Sequence, residues 1–163
     1  MKSTDVICEL CGKKIDSKQP IFYFPKLHPE HNLVDLKGIM HVACLVSQDG
    51  PRKIGFQLAG MTEDLARRSV EASFLRRNGN IVSRYRDHEE NIEILDFENF
   101  CEITIPRKSL KDIILAKRGN SFSLRFDILK IERNGDIFLE NKNSGSSNFL
   151  RTLNLKRLHE LLS

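Results

Sequence analysis

From residue 91 onward the chain alternates apolar and polar positions with the two-residue period of strands. In NIEIL (91–95) and FCEITIP (100–106), Cys101, Ile103 and Ile105 face one way while Glu102 and Thr104 face the other. Pro106 ends that stretch. SLKDIILAKRG (109–119) gathers Leu110, Ile113 and Ile114 on one helical face, with Gly119 as its stop. SFSLRFDILKIER and DIFLENK flank Asn134-Gly135, a two-residue hairpin signal. That turn places Arg133 opposite Asp136, Leu129 opposite Glu140 and Asp127 opposite Lys142. A polar loop, NKNSGSS, leads to a short strand in NFLRTL and a last helix in NLKRLHELL. The order β-α-β-β-β-α predicts a small antiparallel α+β domain over residues 91–163, with its helices on one face of the sheet.

Upstream the period changes. MTEDLARRSVEASFLRRNGN (61–80) reads as a helix, with Thr62 as N-cap, acidic residues in the first turn and Gly79 as stop. Met61, Leu65, Ala72 and Leu75 approximate one apolar stripe, and Ala66, Val70 and Phe74 a second. Arg67, Arg68, Arg76 and Arg77 fall on the remaining surface, so residues 51–90 are expected to form an arginine-rich helical connector. In residues 1–50, PIFYFP (20–25) and NLVDLKG (32–38) flank a polar loop around His28 and His31, a hairpin pattern. MHVACL (40–45) then opens a short helix that Asp49-Gly50-Pro51 stops.

Composition supports a folded chain: of 163 residues, 40% are hydrophobic and 29% charged, an ordinary globular balance that argues against disorder. No apolar run approaches the roughly 20 residues a bilayer-spanning helix needs, so a soluble, intracellular, cytoplasmic protein is expected, with no membrane partner. The formal net charge is +4, and its excess is confined to residues 51–86, where seven arginines and one lysine face three acids. Residues 1–50 hold six lysines, six acids and no arginine.

The four cysteines change the picture most. Cys8 and Cys11 are separated by two residues, and so are His41 and Cys44. Thiolate and imidazole are the donors a borderline-soft ion prefers, and a closed Cys3His tetrahedron is a structural zinc site. In CELC a tight turn aims both sulfurs at one point, with Gly12 where the turn needs a positive φ. His41 and Cys44, at i and i+3, share one face of the short helix. A rival set replaces His41 and Cys44 by His28 and His31, and disulfides are a further alternative, although nothing signals secretion. Knuckle, hairpin and ligand-bearing helix together make a treble-clef module over residues 1–50. Cys101 is left for the buried face of a strand.

The pattern C-x2-C, 29 residues, H-x2-C over residues 8–46 resembles the zinc finger of the poly(ADP-ribose) polymerase type and, more loosely, the first half of a LIM domain. The resemblance implies a structural Zn²⁺ held by Cys8, Cys11, His41 and Cys44, and a module that recognises DNA ends and breaks through phosphates and exposed bases.

Clustered arginines offer planar forks to phosphate oxygens and gain from counterion release. The function expected is therefore zinc-stabilised nucleic-acid binding, DNA foremost and regulatory, through Arg67, Arg68, Arg76 and Arg77, with Arg52, Lys53, Arg84 and Arg86 beside them. A second reading is a zinc-containing adaptor for an acidic protein partner. A third is a Mg²⁺-dependent nuclease: the hairpin register above puts Asp127, Glu140 and Lys142 on one face, similar to a PD-(D/E)xK motif in which two carboxylates hold the metal and lysine polarises water. No other catalytic set stands out, and the chain is read as a binding protein rather than an enzyme.

Overall fold

A computed structural model of the chain describes residues 5–27, 29–30, 33, 36–47 and 50–163. In chain order the elements are β1 (Ile21–Phe24), β2 (Gly38–His41), α1 (Val42–Val46), α2 (Pro51–Arg68), β3 (Phe74–Asn78), β4 (Ile81–Arg86), β5 (Asn91–Asp96), β6 (Cys101–Pro106), α3 (Leu110–Ile114), β7 (Ser121–Ser123), β8 (Asp127–Ile131), β9 (Ile137–Asn141), β10 (Ser147–Phe149) and α4 (Leu155–Leu162). They give the α+β class expected. The strands form an antiparallel hairpin β1-β2 and two four-stranded antiparallel meanders, β3-β4-β5-β6 and β10-β9-β8-β7. Among the described residues no helix is long and apolar enough to cross a membrane.

Side-chain alternation in the β3–β6 sheet builds a core on each of its faces. Ile81, Ile92, Ile94, Ile103 and Ile105 join Leu129, Ile131, Ile137 and Leu139 of the second meander and Leu158, Leu161 and Leu162 of α4. On the other face Val82 and Leu95 meet Leu58 and Ala59 of α2, Met40 and Leu45 of the N-terminal module, and Phe97 and Phe100. Those two phenylalanines lie in the turn after β5, and Phe22 of β1 stands edge-on to both, at centroid distances of 6.5 and 5.6 Å.

Fully buried Asp96 organises that turn. It accepts the backbone N–H groups of Glu98 and Asn99 at 2.9 Å each and the Asn99 side-chain amide at 2.6 Å. Burial pushes its carboxyl above the usual range, against these donors. The Asn99 amide also donates to Thr152 Oγ1 at 2.9 Å, which ties the turn to the segment ahead of α4.

Three expectations are corrected. The helix expected through 62–78 is displaced: α2 begins at Pro51, a residue pre-set for the first helical position, and ends at Arg68, so Thr62 is buried inside it rather than capping it. Ser69 Oγ accepts the N–H groups of Glu71 and Ala72 at 3.2 Å each and turns the chain away from the helix. Arg76 and Arg77 consequently sit on strand β3, paired with Ser83 and Val82, and Gly79-Asn80 serves as a two-residue hairpin turn with Gly79 at φ +60°. The β3–β6 sheet also spans residue 90, so the expected connector and the expected third unit share one sheet.

The second correction concerns the order β-α-β-β-β-α. NIEIL and FCEITIP form two paired strands, and SFSLRFDILKIER breaks into β7 and β8, giving β-β-α-β-β-β-β-α after residue 90. The third is register. Glu132 N–H donates to Asp136 O at 2.8 Å and Gly135 N–H to Glu132 O at 2.9 Å, which closes a three-residue loop with Gly135 at φ +92°. One extra loop residue shifts the partner strand by one position, so Asp127 lies opposite Asn141 and Leu129 opposite Leu139.

Helix α2 meets the β5–β6 turn backbone to backbone at Gly55, where a Cβ would lie 2.3 Å from Phe97 O. Gly55→Ala should therefore destabilise the fold by about 1–3 kcal/mol. Gly60→Ala, five residues on, meets only the Arg77 guanidinium at 3.9 Å and should be neutral or stabilising by up to about 1 kcal/mol through helix propensity. Chemical denaturation of the two variants checks both signs.

Candidate metal centre and the arginine surface

The knuckle is closed by its own backbone. Gly12 N–H donates to Cys8 O at 2.8 Å and Cys8 N–H to Lys13 O at 2.9 Å, while Ile7 and Lys14 form an isolated antiparallel bridge. Gly12 has φ +69° and open space around its Cα, so conformation is its role here. Strand β2 brings the second pair. His41 ends that strand in extended conformation and caps α1, which carries Cys44; it is not on the helix face as expected. The reason lies in β2 itself, whose last residue turns its N–H to Cys8 Sγ at 3.4 Å.

The donor atoms of Cys8, Cys11, His41 and Cys44 all lie within 4.8 Å of one another. His41 Nδ1 stands 3.5 Å from Cys11 Sγ and 3.6 Å from Cys44 Sγ. A tetrahedron with metal–sulfur bonds of about 2.3 Å and metal–nitrogen bonds of about 2.0–2.1 Å has S···N edges of about 3.6 Å. The four side chains are thus positioned to bind a metal ion, and soft donors at these separations are consistent with zinc. The alternative ligands His28 and His31 lie outside the described residues. The four cysteines are free of disulfides.

Gln19 supplies support that was not read from the sequence. Its Oε1 lies 3.0 Å from His41 Nε2 and accepts Asp16 N–H at 2.9 Å. With Nε2–H donating to that oxygen, the lone pair of Nδ1 is left for the ion, as outer-shell partners do in metal sites. The visible signal was an Asp and a Gln three residues apart before Pro20, the spacing of a turn closed by a side chain.

The sulfurs are unequal. Burial alone raises the Cys8 thiol, but the backbone N–H groups of His41, Cys11 and Leu10 outweigh it and bring it down to about 6. Cys44 is pushed up to about 11 by burial and by the neighbouring Cys11 and Cys8 thiols. Thiolates crowded this closely need a cation to coexist, and binding one releases the Cys44 proton.

The arginines form a connected surface of a kind the sequence did not show. The Arg77 guanidinium lies 5.4 Å from the Phe56 ring, and Arg77 and Arg67 both bind Glu63 at 2.9 Å. Arg67 in turn stands 4.0 Å over Phe74, which pairs across the strands with Arg84. Arg84 and Arg86 share Glu93 at 2.8 and 3.3 Å. Arg76 donates to the terminal Ser163 O at 3.0 Å. Arg52, Lys53 and Arg68 are exposed and have no acidic partner among the described residues.

The nuclease set is not assembled. The one-residue register change puts Asp127 on the core face of β8, and Glu140, opposite Ile128, on the other face, paired with Lys130. Lys142 donates to Leu124 O. Burial raises the Asp127 carboxyl, with Asn141 and Lys142 opposing. Cys101 lies at the start of β6, where burial and then the Asp96, Asp127 and Glu102 charges hold its thiol well above the ordinary range.

Compared with known protein families, curated proteins and solved structures, the chain matches none. The likeness to the poly(ADP-ribose) polymerase finger therefore stands at the level of ligand spacing.

Purified protein should contain one transition-metal ion per chain by elemental analysis, and Cys44→Ala should lose it. Gln19→Ala should retain it with about 10–100-fold weaker affinity, read by competition with a chromogenic chelator. The hydrogen bonds of Arg77 and then Arg67 lower the Glu63 carboxyl below its ordinary value. Its stabilisation is therefore complete above the unfolded carboxylate range and fades as pH falls through the lowered folded value. Glu63→Gln should cost about 1 kcal/mol at pH 7 and nothing in strong acid, measured by denaturation at both pH values.

Proposed function

We propose that the protein binds nucleic acid, DNA foremost, as a zinc-stabilised regulatory protein rather than a catalyst. Three thiolates and an imidazole form a donor set for Zn²⁺ with all four positions filled, so the ion organises structure and leaves no site for a reacting water. The observation that carries the reading is the arginine–phenylalanine ladder. Glu63 and Glu93 each serve two guanidiniums, so each such group keeps a positive charge. Phe56, 63% exposed, offers a face on which an unpaired base can stack, beside Arg52, Lys53 and Arg77. Phosphates track the cations, and Arg68 extends the row at the far end of α2.

The test is a salt-titrated binding assay of the metal-loaded protein with duplex DNA, single-stranded DNA and RNA. Affinity should fall linearly in log–log form with salt, and the slope should drop by about one for each of Arg52→Ala, Lys53→Ala and Arg68→Ala. Phe56→Ala should weaken single-strand binding about 10-fold through lost stacking. Binding indifferent to salt and to all four changes would refute the proposal.

A further inference from the structure

Away from the ladder, two clefts of about 650 and 610 Å³ run into one another, sharing Gln19, Pro20 and Asn148 as walls. The first lies beside the metal ligands His41 and Cys44. Three edge strands converge on this groove: β1 through Ile21 and Tyr23, β6 through Glu102 and Thr104, and β10 through Asn148 and Phe149. Each is the outermost strand of its sheet, bonded on one side alone.

Register shows which backbone groups these edges leave open. Val42 N–H bonds Pro20 O, Arg107 N–H bonds Glu90 O, and Leu150 N–H bonds Ile137 O. Antiparallel pairs alternate between bonded and non-bonded positions. The backbone groups of Ile21 and Tyr23, of Glu102 and Thr104, and of Ser147 and Phe149 therefore point away from their own sheets. None of these groups has a hydrogen-bond partner among the described residues. Such edges are templates for another strand, and soluble proteins ordinarily cover or charge them.

Apolar side chains cluster at the same place. Val46 and Phe149 line the first cleft, and Ile21, Phe126 and Tyr23, the last 68% exposed, line the second. Charge divides along the groove. Lys13 and Arg151 line one end, where the Glu98 carboxylate is taken by Arg157; Asp16, Glu102 and Asp127 line the other. A phosphodiester chain would be repelled at the acidic end, whereas a polypeptide can carry an acidic residue at one end and a basic one at the other.

We infer that this groove takes an extended segment of a partner polypeptide, which adds as a strand to the open edges of β1, β6 and β10. Alternate side chains of the segment meet the exposed apolar wall, an acidic residue meets Lys13 and Arg151, and a basic residue meets Asp16 and Glu102. Main-chain hydrogen bonds supply affinity and the wall and end charges supply selectivity, as in other strand-addition modes. The inference does not depend on the nucleic-acid reading, because it uses a different surface.

The test selects binders from a random twelve-residue peptide library on the metal-loaded full chain. A selected peptide is then synthesised with the amides of odd or of even residues N-methylated. Each methylated set should lose at least 10-fold in affinity, because a strand held between edges turns alternate amides to either side, whereas a peptide held by its side chains alone loses neither. Amide resonances of Ile21, Tyr23, Glu102, Thr104, Ser147 and Phe149 should shift on binding, and Arg151→Glu should reverse the preferred charge at that end of the peptide. Full affinity in both methylated sets, shifts confined to the α2–β3 surface, an oligonucleotide that shifts the same six amides, or closure of the groove by a second copy in sedimentation would each overturn the inference.

Discussion

Three sulfurs and one imidazole, drawn from positions about thirty residues apart, are held close enough to share a single ion, and the front of the chain has little else to fold around. The β1-β2 hairpin is four residues long on each side and α1 has five, too little to bury a core of its own. Its apolar residues instead continue into a cluster shared with α2 and the β3–β6 sheet. Metal binding energy in such modules is folding energy. A bound ion would also fix where Met40, Leu45 and Phe22 are presented to the rest of the molecule. The module is thus one wall of a larger core.

The turn after β5 receives what the metal site positions. Asp96 is a carboxyl buried at a cost and met by three donors. Around it meet Phe22 from the hairpin, Gly55 from α2 and Thr152 from the segment ahead of α4. One short turn therefore sets the spacing of three parts of the chain that have no regular hydrogen bonding between them.

How much of this was legible follows from range. The ligand set was readable because each pair is local: a thiol pair on a knuckle and a histidine three residues before a cysteine leave few alternatives once secretion is set aside. The strands after residue 91 were readable from period two. Asn78-Gly79 and Asn134-Gly135 were each misread, in opposite ways. At Asn78-Gly79 the flanking segment has helical periodicity, and sheet formation with β4 overrides that local preference. At Asn134-Gly135 the dipeptide does turn the chain, but Asp136 N–H bonds the Asn134 side chain and the loop takes one residue more, a choice that sequence spacing does not encode. The arginines were visible as a surplus of charge. Their arrangement was not, because Glu93 meets Arg84 only through the β4–β5 register and Phe56 faces outward only if α2 begins at Pro51. Sharing of each carboxylate also holds the guanidiniums in fixed orientation, so less side-chain freedom is lost when a ligand arrives.

The close approach at Gly55 bears on how the molecule can move. Most helices ride on side chains, which act as compliant spacers and let the helix slide or rotate by small steps. Here carbonyl and helix backbone touch without an intervening side chain. Rotation about the axis of α2 would swing Ile54 or Phe56 into the space occupied by the Phe97 carbonyl. The helix is in effect keyed to the sheet, and any displacement of its outer face must carry the β5–β6 turn along as one body.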